Sequence, residues 1–113
     1  MEYNNIDMKT ELNQLIQELR HKFEILYSDR LVKLILFGSQ ARGNSLDDSD
    51  IDVLVILKGE VSPGKEIART SELRSELSLK YNTVISCIYI SEDRYKHEES
   101  PLLLNVHREG IPV

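Results

Sequence analysis

The stretch Leu34–Leu57, LILFGSQARGNSLDDSDIDVLVIL, decides the fold and raises a question of charge. Two aliphatic, β-branched runs, Leu31–Phe37 and Ile51–Leu57, flank a short polar connection and read as strands. The second is almost unbroken Ile, Val and Leu, the pattern of a strand buried on both faces at the centre of a sheet. Yet Asp50 and Asp52 stand at its mouth. Side chains two apart on a strand share a face, so two carboxylates project together from an apolar element. Asp47 and Asp48 deepen the negative cluster, and Arg42 is the nearby cation in sequence. Taken alone, the aspartate pair reads equally as a solvated sheet edge. As a cluster of repelling carboxylates it reads as a divalent-cation site, because a cation removes the repulsion. Oxygen-only ligands favour Mg²⁺ or Mn²⁺ over zinc. Gly38-Ser39, directly after the first strand, adds an anion site. Glycine admits close backbone approach, and a helical turn from Ser39 would offer N–H groups and a hydroxyl. Alone, that dipeptide is an ordinary turn. Together, one strand end offers phosphate donors and the next offers metal ligands, a nucleoside triphosphate site in outline.

Working outward, Met8, Leu12, Leu15, Ile16, Leu19, Phe23 and Leu26 follow helical spacing, which predicts a helix from an Asp7 N-cap to about Tyr27. Ser28-Asp29-Arg30 is a turn. Ser62-Pro63 opens a second helix, with Ile67, Leu73, Leu77 and Tyr81 as its buried stripe and Thr70 a weak point in it. Thr83–Ile90 is a third strand; Ser91 caps a short helix to about His97; Ser100-Pro101 starts a last helix that stops at Gly110. Ile111-Pro112-Val113 is long enough only for an edge strand. The helical crossover between the second and third strands fits a parallel pair. The fold class is therefore α/β (α+β), a small mixed sheet flanked by helices.

The chain of 113 residues is one domain, residues 1–113, large enough for one core. Its net charge of −5 argues against direct nucleic-acid binding and suits a basic protein partner, or anions met with the help of cations. The single cysteine, Cys87, fits a reducing cytoplasm. The polar, acidic start MEYNNIDMKTE does not resemble a signal peptide, and no apolar run approaches the roughly 20 residues of a membrane span.

Gly38-Ser39, ten residues, then Asp50-Ile51-Asp52, with Ala41-Arg42-Gly43 and Ser49 between, resembles the signature of polymerase-β-type nucleotidyltransferases and of their minimal members, the MNT domains. The resemblance extends to the flanking helix, the crossover helix and the third strand, and implies a polymerase-β-like core. It implies that Gly38 and Ser39 hold the β- and γ-phosphates of ATP. Asp50 and Asp52 would be the catalytic ligands of Mg²⁺, two ions in the full site, for in-line attack on the α-phosphorus with pyrophosphate leaving. Arg42 contacts phosphate or pairs with Asp47 or Asp48. The pattern departs from the family at one place: a third carboxylate is expected on the third strand, which here reads TVISCIYI, and Ser86 best matches its position. A serine hydroxyl is a poor Mg²⁺ ligand and no base near neutral pH. Cys87 should face the other way, as a buried thiol.

His21, His97 and His107 lie on three different predicted helices and suggest no metal site. Tyr89 and Tyr95 read as packing residues. The chain has no room for the acceptor-binding domain of larger relatives, so the acceptor is expected on another molecule. Minimal domains of this kind resemble the antitoxin half of HEPN/MNT pairs, which implies AMP transfer from ATP to a tyrosine of a HEPN-domain ribonuclease toxin. The missing carboxylate keeps a second reading open, an antitoxin that neutralises by binding alone. Small-molecule modification is a third, disfavoured by the short chain.

Overall fold

The chain has few helix breakers before its first strand, and the structure shows what that permits. It is a computed structural model that describes residues 2–38 and 50–113, with side chains from residue 10 onward. Helix α1 spans Glu2–Tyr27. Asp7 is therefore inside the helix and not its N-cap, because neither Gly nor Pro interrupts the preceding residues. Leu15, Leu19, Phe23 and Tyr27, at strict four-residue spacing, are buried, with Leu12 and Ile16 packed beside them. Leu26, expected on that stripe, is exposed, and Tyr27 takes its place, its ring stacked on Phe23 at 5.9 Å. The side chain of Met8 lies outside those described.

After a 3₁₀ turn, Ser28–Arg30, come β1 (Leu31–Phe37) and β2 (Ile51–Leu57). Helices α2 (Pro63–Arg69) and α3 (Ser71–Tyr81) form the crossover to β3 (Ile85–Ser91), followed by α4 (Glu92–His97), α5 (Pro101–Glu109) and β4 (Ile111–Pro112). The crossover is two helices because Thr70, its weak point, turns its hydroxyl back onto the Glu66 carbonyl at 2.9 Å. Ser91 and Ser100 cap α4 and α5 as expected, accepting from the N–H groups of Arg94 and Leu103.

Among the described residues the sheet has the order β3-β2-β1-β4, with β2 antiparallel to β1 and parallel to β3. The central strand is buried on both sides. Ile51, Val53, Val55 and Leu57 pack under α1 and α3 with Leu34, Leu36, Ile85 and Tyr89. Leu54 and Ile56 pack on the other face against Ile35, Ile90 and the α5 residues Leu103 and Val106. Each such side chain contributes roughly 1.5–3 kcal/mol by leaving water. On that second face α4 and α5 sit over the Leu54–Ile56 end, whereas Asp52 and Ser86 occupy the other end. No helix among the described residues is long and apolar enough to cross a membrane.

Candidate active site

Register builds the site. Phe37 pairs with Asp52 on one side and Ser86 pairs with Asp52 on the other, so Asp52 stands between the end of β1 and the start of β3. Paired residues share a face, so the face of Asp52 is that of Phe37 and Ser86 and opposite to that of Cys87. Ser86 is therefore the strand neighbour of Asp52, as its alignment with the expected third carboxylate requires. Cys87 is half-buried rather than buried, packed at the margin of the core, and the burial it has pushes its thiol up to about 11.

The next residue after Phe37 is Gly38, at φ +76, a conformation that side chains disfavour. A Cβ placed on Gly38 would lie 2.6 Å from Asp52 Oδ2. Two independent constraints thus require glycine: the backbone turn and the room taken by the carboxylate. The β1 end passes directly against the acid, which is the close approach that a shared phosphate and metal site needs. Of the residues read as site residues, Gly38, Asp50 and Asp52 are brought together; Ser39 and Arg42 lie outside the described residues, as do Asp47 and Asp48.

Electrostatics separates Asp50 and Asp52 from an ordinary surface pair. Asp50 is exposed and Asp52 half-buried. Burial, and then the Asp50 charge, push the Asp52 carboxyl above the usual carboxylate range. Among the described residues neither acid has a hydrogen-bond or ion-pair partner. A divalent cation fits this donor set: hard carboxylate oxygens, one partly desolvated, whose repulsion a positive ion would relieve. No third His, Cys, Asp or Glu joins them among the described residues. The histidines do not converge: His97 Nδ1 lies 3.3 Å from Asp93 Oδ1, and the His107 ring packs on Tyr95 at 4.8 Å. Tyr89 is buried and hydrogen-bonded to Thr70, a packing residue.

The opposite end of the sheet supplies a contrast that apolar periodicity missed. Ile67, expected to be buried, is 48% exposed, and Glu66 is buried in its stead. Glu66 accepts a 2.8 Å hydrogen bond from the Tyr27 hydroxyl and lies 3.7 Å from both Arg30 and Arg69. A buried acid with three partners is a structural tie. The sequence signal was Arg69 three residues on, but the other partners come from distant segments.

Comparison with known proteins agrees with the geometry. A nucleotidyltransferase-domain family matches residues 12–102. A Methanocaldococcus jannaschii protein named "Putative protein adenylyltransferase" is 38% identical over 78 residues, 69% of this chain and 78% of that protein. The solved structure of a protein named "putative minimal nucleotidyltransferase" superposes with a TM-score of 0.60 at 22% identity, over 94% of this chain and 95% of that one. A chain from the complex of tri-AMPylated Shewanella oneidensis HEPN toxin with its MNT antitoxin superposes at 0.52 and 22% identity, over 93% of this chain and 70% of that one. At such identity the structures speak to fold, which is the polymerase-β-like one the motif implied. With the family match running from α1 into α5, this chain belongs to the nucleotidyltransferase domain family.

Proposed function

We propose that this nucleotidyltransferase is an Mg²⁺-dependent protein adenylyltransferase and an antitoxin, moving AMP from ATP to a tyrosine of a HEPN-domain ribonuclease and so silencing it. The observation that carries the chemistry is that Asp50 and Asp52, set against Gly38, have no hydrogen-bond or ion-pair partner among the described residues. The adenylyltransferase relative and the fold shared with the antitoxin complex support the acceptor class. The net charge of −5 suits a basic, RNA-cleaving partner and does not suit nucleic acid as direct ligand. The same reading places the protein in the cytoplasm as a single minimal domain, with the acceptor on the other molecule.

Asp50 and Asp52 would hold Mg²⁺, two ions in the full arrangement, and when bound the metal supplies charge neutralisation at the triphosphate and lowers the acceptor's proton affinity. Gly38 leaves its backbone bare, so phosphate oxygens can approach the β1 end next to Asp52; Ser39 and Arg42 follow it in sequence and are proposed as further phosphate contacts. The acceptor oxygen attacks the α-phosphorus, the bond to the bridging oxygen breaks, and pyrophosphate leaves. Ser86 cannot take the tyrosine proton, which passes to water.

The test is the intact mass of a HEPN-domain protein encoded beside this chain after incubation with the chain, ATP and Mg²⁺, against an Asp50→Asn/Asp52→Asn control. A gain of one or more AMP masses only with the wild type is expected. The register of Ser86 with Asp52 favours one second reading, an antitoxin that neutralises by binding: there the toxin stays unmodified and remains silenced by the double variant.

A further inference from the structure

The strand that lacks the third carboxylate is also a free edge. Among the described residues β3 pairs only with β2. The Ile51 N–H donates to the Val84 carbonyl at 2.8 Å, which carries the ladder one residue beyond β3 and fixes which groups face inward. Alternate residues of a strand turn their N–H and C=O to opposite sides, so Ile85, Cys87 and Tyr89 present theirs to the open edge. The segment from Thr83 to Ser91, TVISCIYIS, contains no charge and no proline, the usual protections of an edge strand.

Its face is equally telling. Val84, Ser86 and Ile88 alternate onto the side of Asp52, and the two aliphatic residues bracketing Ser86 are exposed, Val84 by 57% and Ile88 by 39%. Gly38 approaches Asp52 closely from the β1 side, and among the described residues the β3 side is the approach to its carboxylate left open. We propose that Val84, Ile88 and the free edge of β3 seat the acceptor polypeptide, an extended uncharged segment that adds alongside β3 and directs its hydroxyl over Ser86 toward Asp52. A residue added opposite Ser86 lies two strand spacings, roughly 10 Å, from the Asp52 backbone. A tyrosine from one side and an aspartate from the other close that gap, and the short Ser86 side chain leaves it open. Val84 and Ile88 act as positioning residues for the acceptor, and they distinguish a polypeptide from a small hydroxyl compound, which has no use for a strand edge.

This inference rests on the protein-acceptor reading, and the experiment separates the two. Acceptor kinetics with the neighbouring HEPN-domain protein are compared for wild type and Val84→Thr/Ile88→Thr, with binding of Mg²⁺ and α,β-methylene-ATP as the internal control. Loss of two apolar contacts raises the KM for the acceptor at least about tenfold, while kcat and nucleotide binding stay within about twofold. Hydrogen exchange on the wild type, which needs no variant, shows the Ile85, Cys87 and Tyr89 amides protected when the HEPN protein is added. Unchanged acceptor KM with intact transfer, or unprotected β3 amides in a formed complex, overturns the proposal. Protection without any AMP transfer keeps the docking edge and removes the adenylyltransferase reading instead.

Discussion

Replacing Gly38 with alanine tests the central geometry, because a second glycine provides its control. Gly38 and Gly59 have nearly the same backbone, φ +76 and +78. Alanine at either position meets the left-handed penalty, about 1–2 kcal/mol. Their surroundings differ: nothing lies within 4 Å of a Cβ on Gly59, whereas a Cβ on Gly38 lies 2.6 Å from Asp52 Oδ2. Ordinary contact begins near 3.4 Å, so the Asp52 carboxylate or the β1 end must shift by several tenths of an ångström or more. Misplacement of a reacting group by roughly 1 Å costs about 10²-fold in rate. In urea denaturation both variants lose about 1–2 kcal/mol. In calorimetric titration with Mg²⁺ and α,β-methylene-ATP, and in the AMP-transfer assay, Gly59→Ala behaves as wild type and Gly38→Ala falls by about 100-fold in transfer. Equal nucleotide binding and equal transfer by the two variants would refute the claim that Gly38 exists to make room for Asp52.

Asp52→Asn removes a half-buried charge repelled by Asp50, so without metal the variant melts above the wild type, and Mg²⁺ raises the melting temperature of the wild type only. Ser86→Asp restores an acid in register with Asp52; transfer speeds up by about tenfold or more, within the range of general-base catalysis, and an unchanged rate would show that the position is misassigned. Glu66→Ala leaves Tyr27, Arg30 and Arg69 without their shared partner and costs about 2 kcal/mol in urea, tempered by the partial exposure of both arginines, while Mg²⁺–nucleotide affinity is unchanged. Cys87, with its thiol at about 11, is alkylated by iodoacetamide at pH 8 at least about tenfold more slowly than a free thiol, as intact mass against time would show.

The strand pair and the glycine-to-aspartate spacing were legible in the sequence because both are local: unbroken aliphatic runs report a doubly buried strand, and two aspartates one residue apart share a face by strand geometry alone. The parallel β2–β3 pair followed from a crossover long enough to hold helices. Most of what escaped depended on residues far apart in the chain. Counting apolar positions placed Ile67 inside and Glu66 outside, and the order is reversed because Tyr27 and Arg30, from α1 and the turn before β1, satisfy the carboxylate. The true start of α1 escaped because Asp7 has the chemistry of a cap but nothing before it ends a helix. The close approach of Gly38 to Asp52 needs the register of two antiparallel strands, which the motif implies only through resemblance.

The two ends of the sheet support reading Glu66 as architecture and the Asp50/Asp52 pair as the proposed site. Glu66 is almost wholly buried, yet it has a hydroxyl donor and two guanidinium groups within 3.7 Å, so the fold supplies what its charge requires. Asp52 is less buried, and its neighbours among the described residues are a second carboxylate, the bare backbone of Gly38 and the serine of β3. A lysine or arginine at Phe37 or Ser86, the two positions in register with Asp52, would neutralise it as the two arginines neutralise Glu66. Leaving both positions uncharged keeps free energy in reserve for a ligand that is positive at the carboxylates and phosphate-bearing at the glycine turn. Any substitution that places a cation there, such as Ser86→Lys, therefore raises apo stability and abolishes Mg²⁺–nucleotide binding together, and a variant that gained stability yet still bound the nucleotide would break the link between the two.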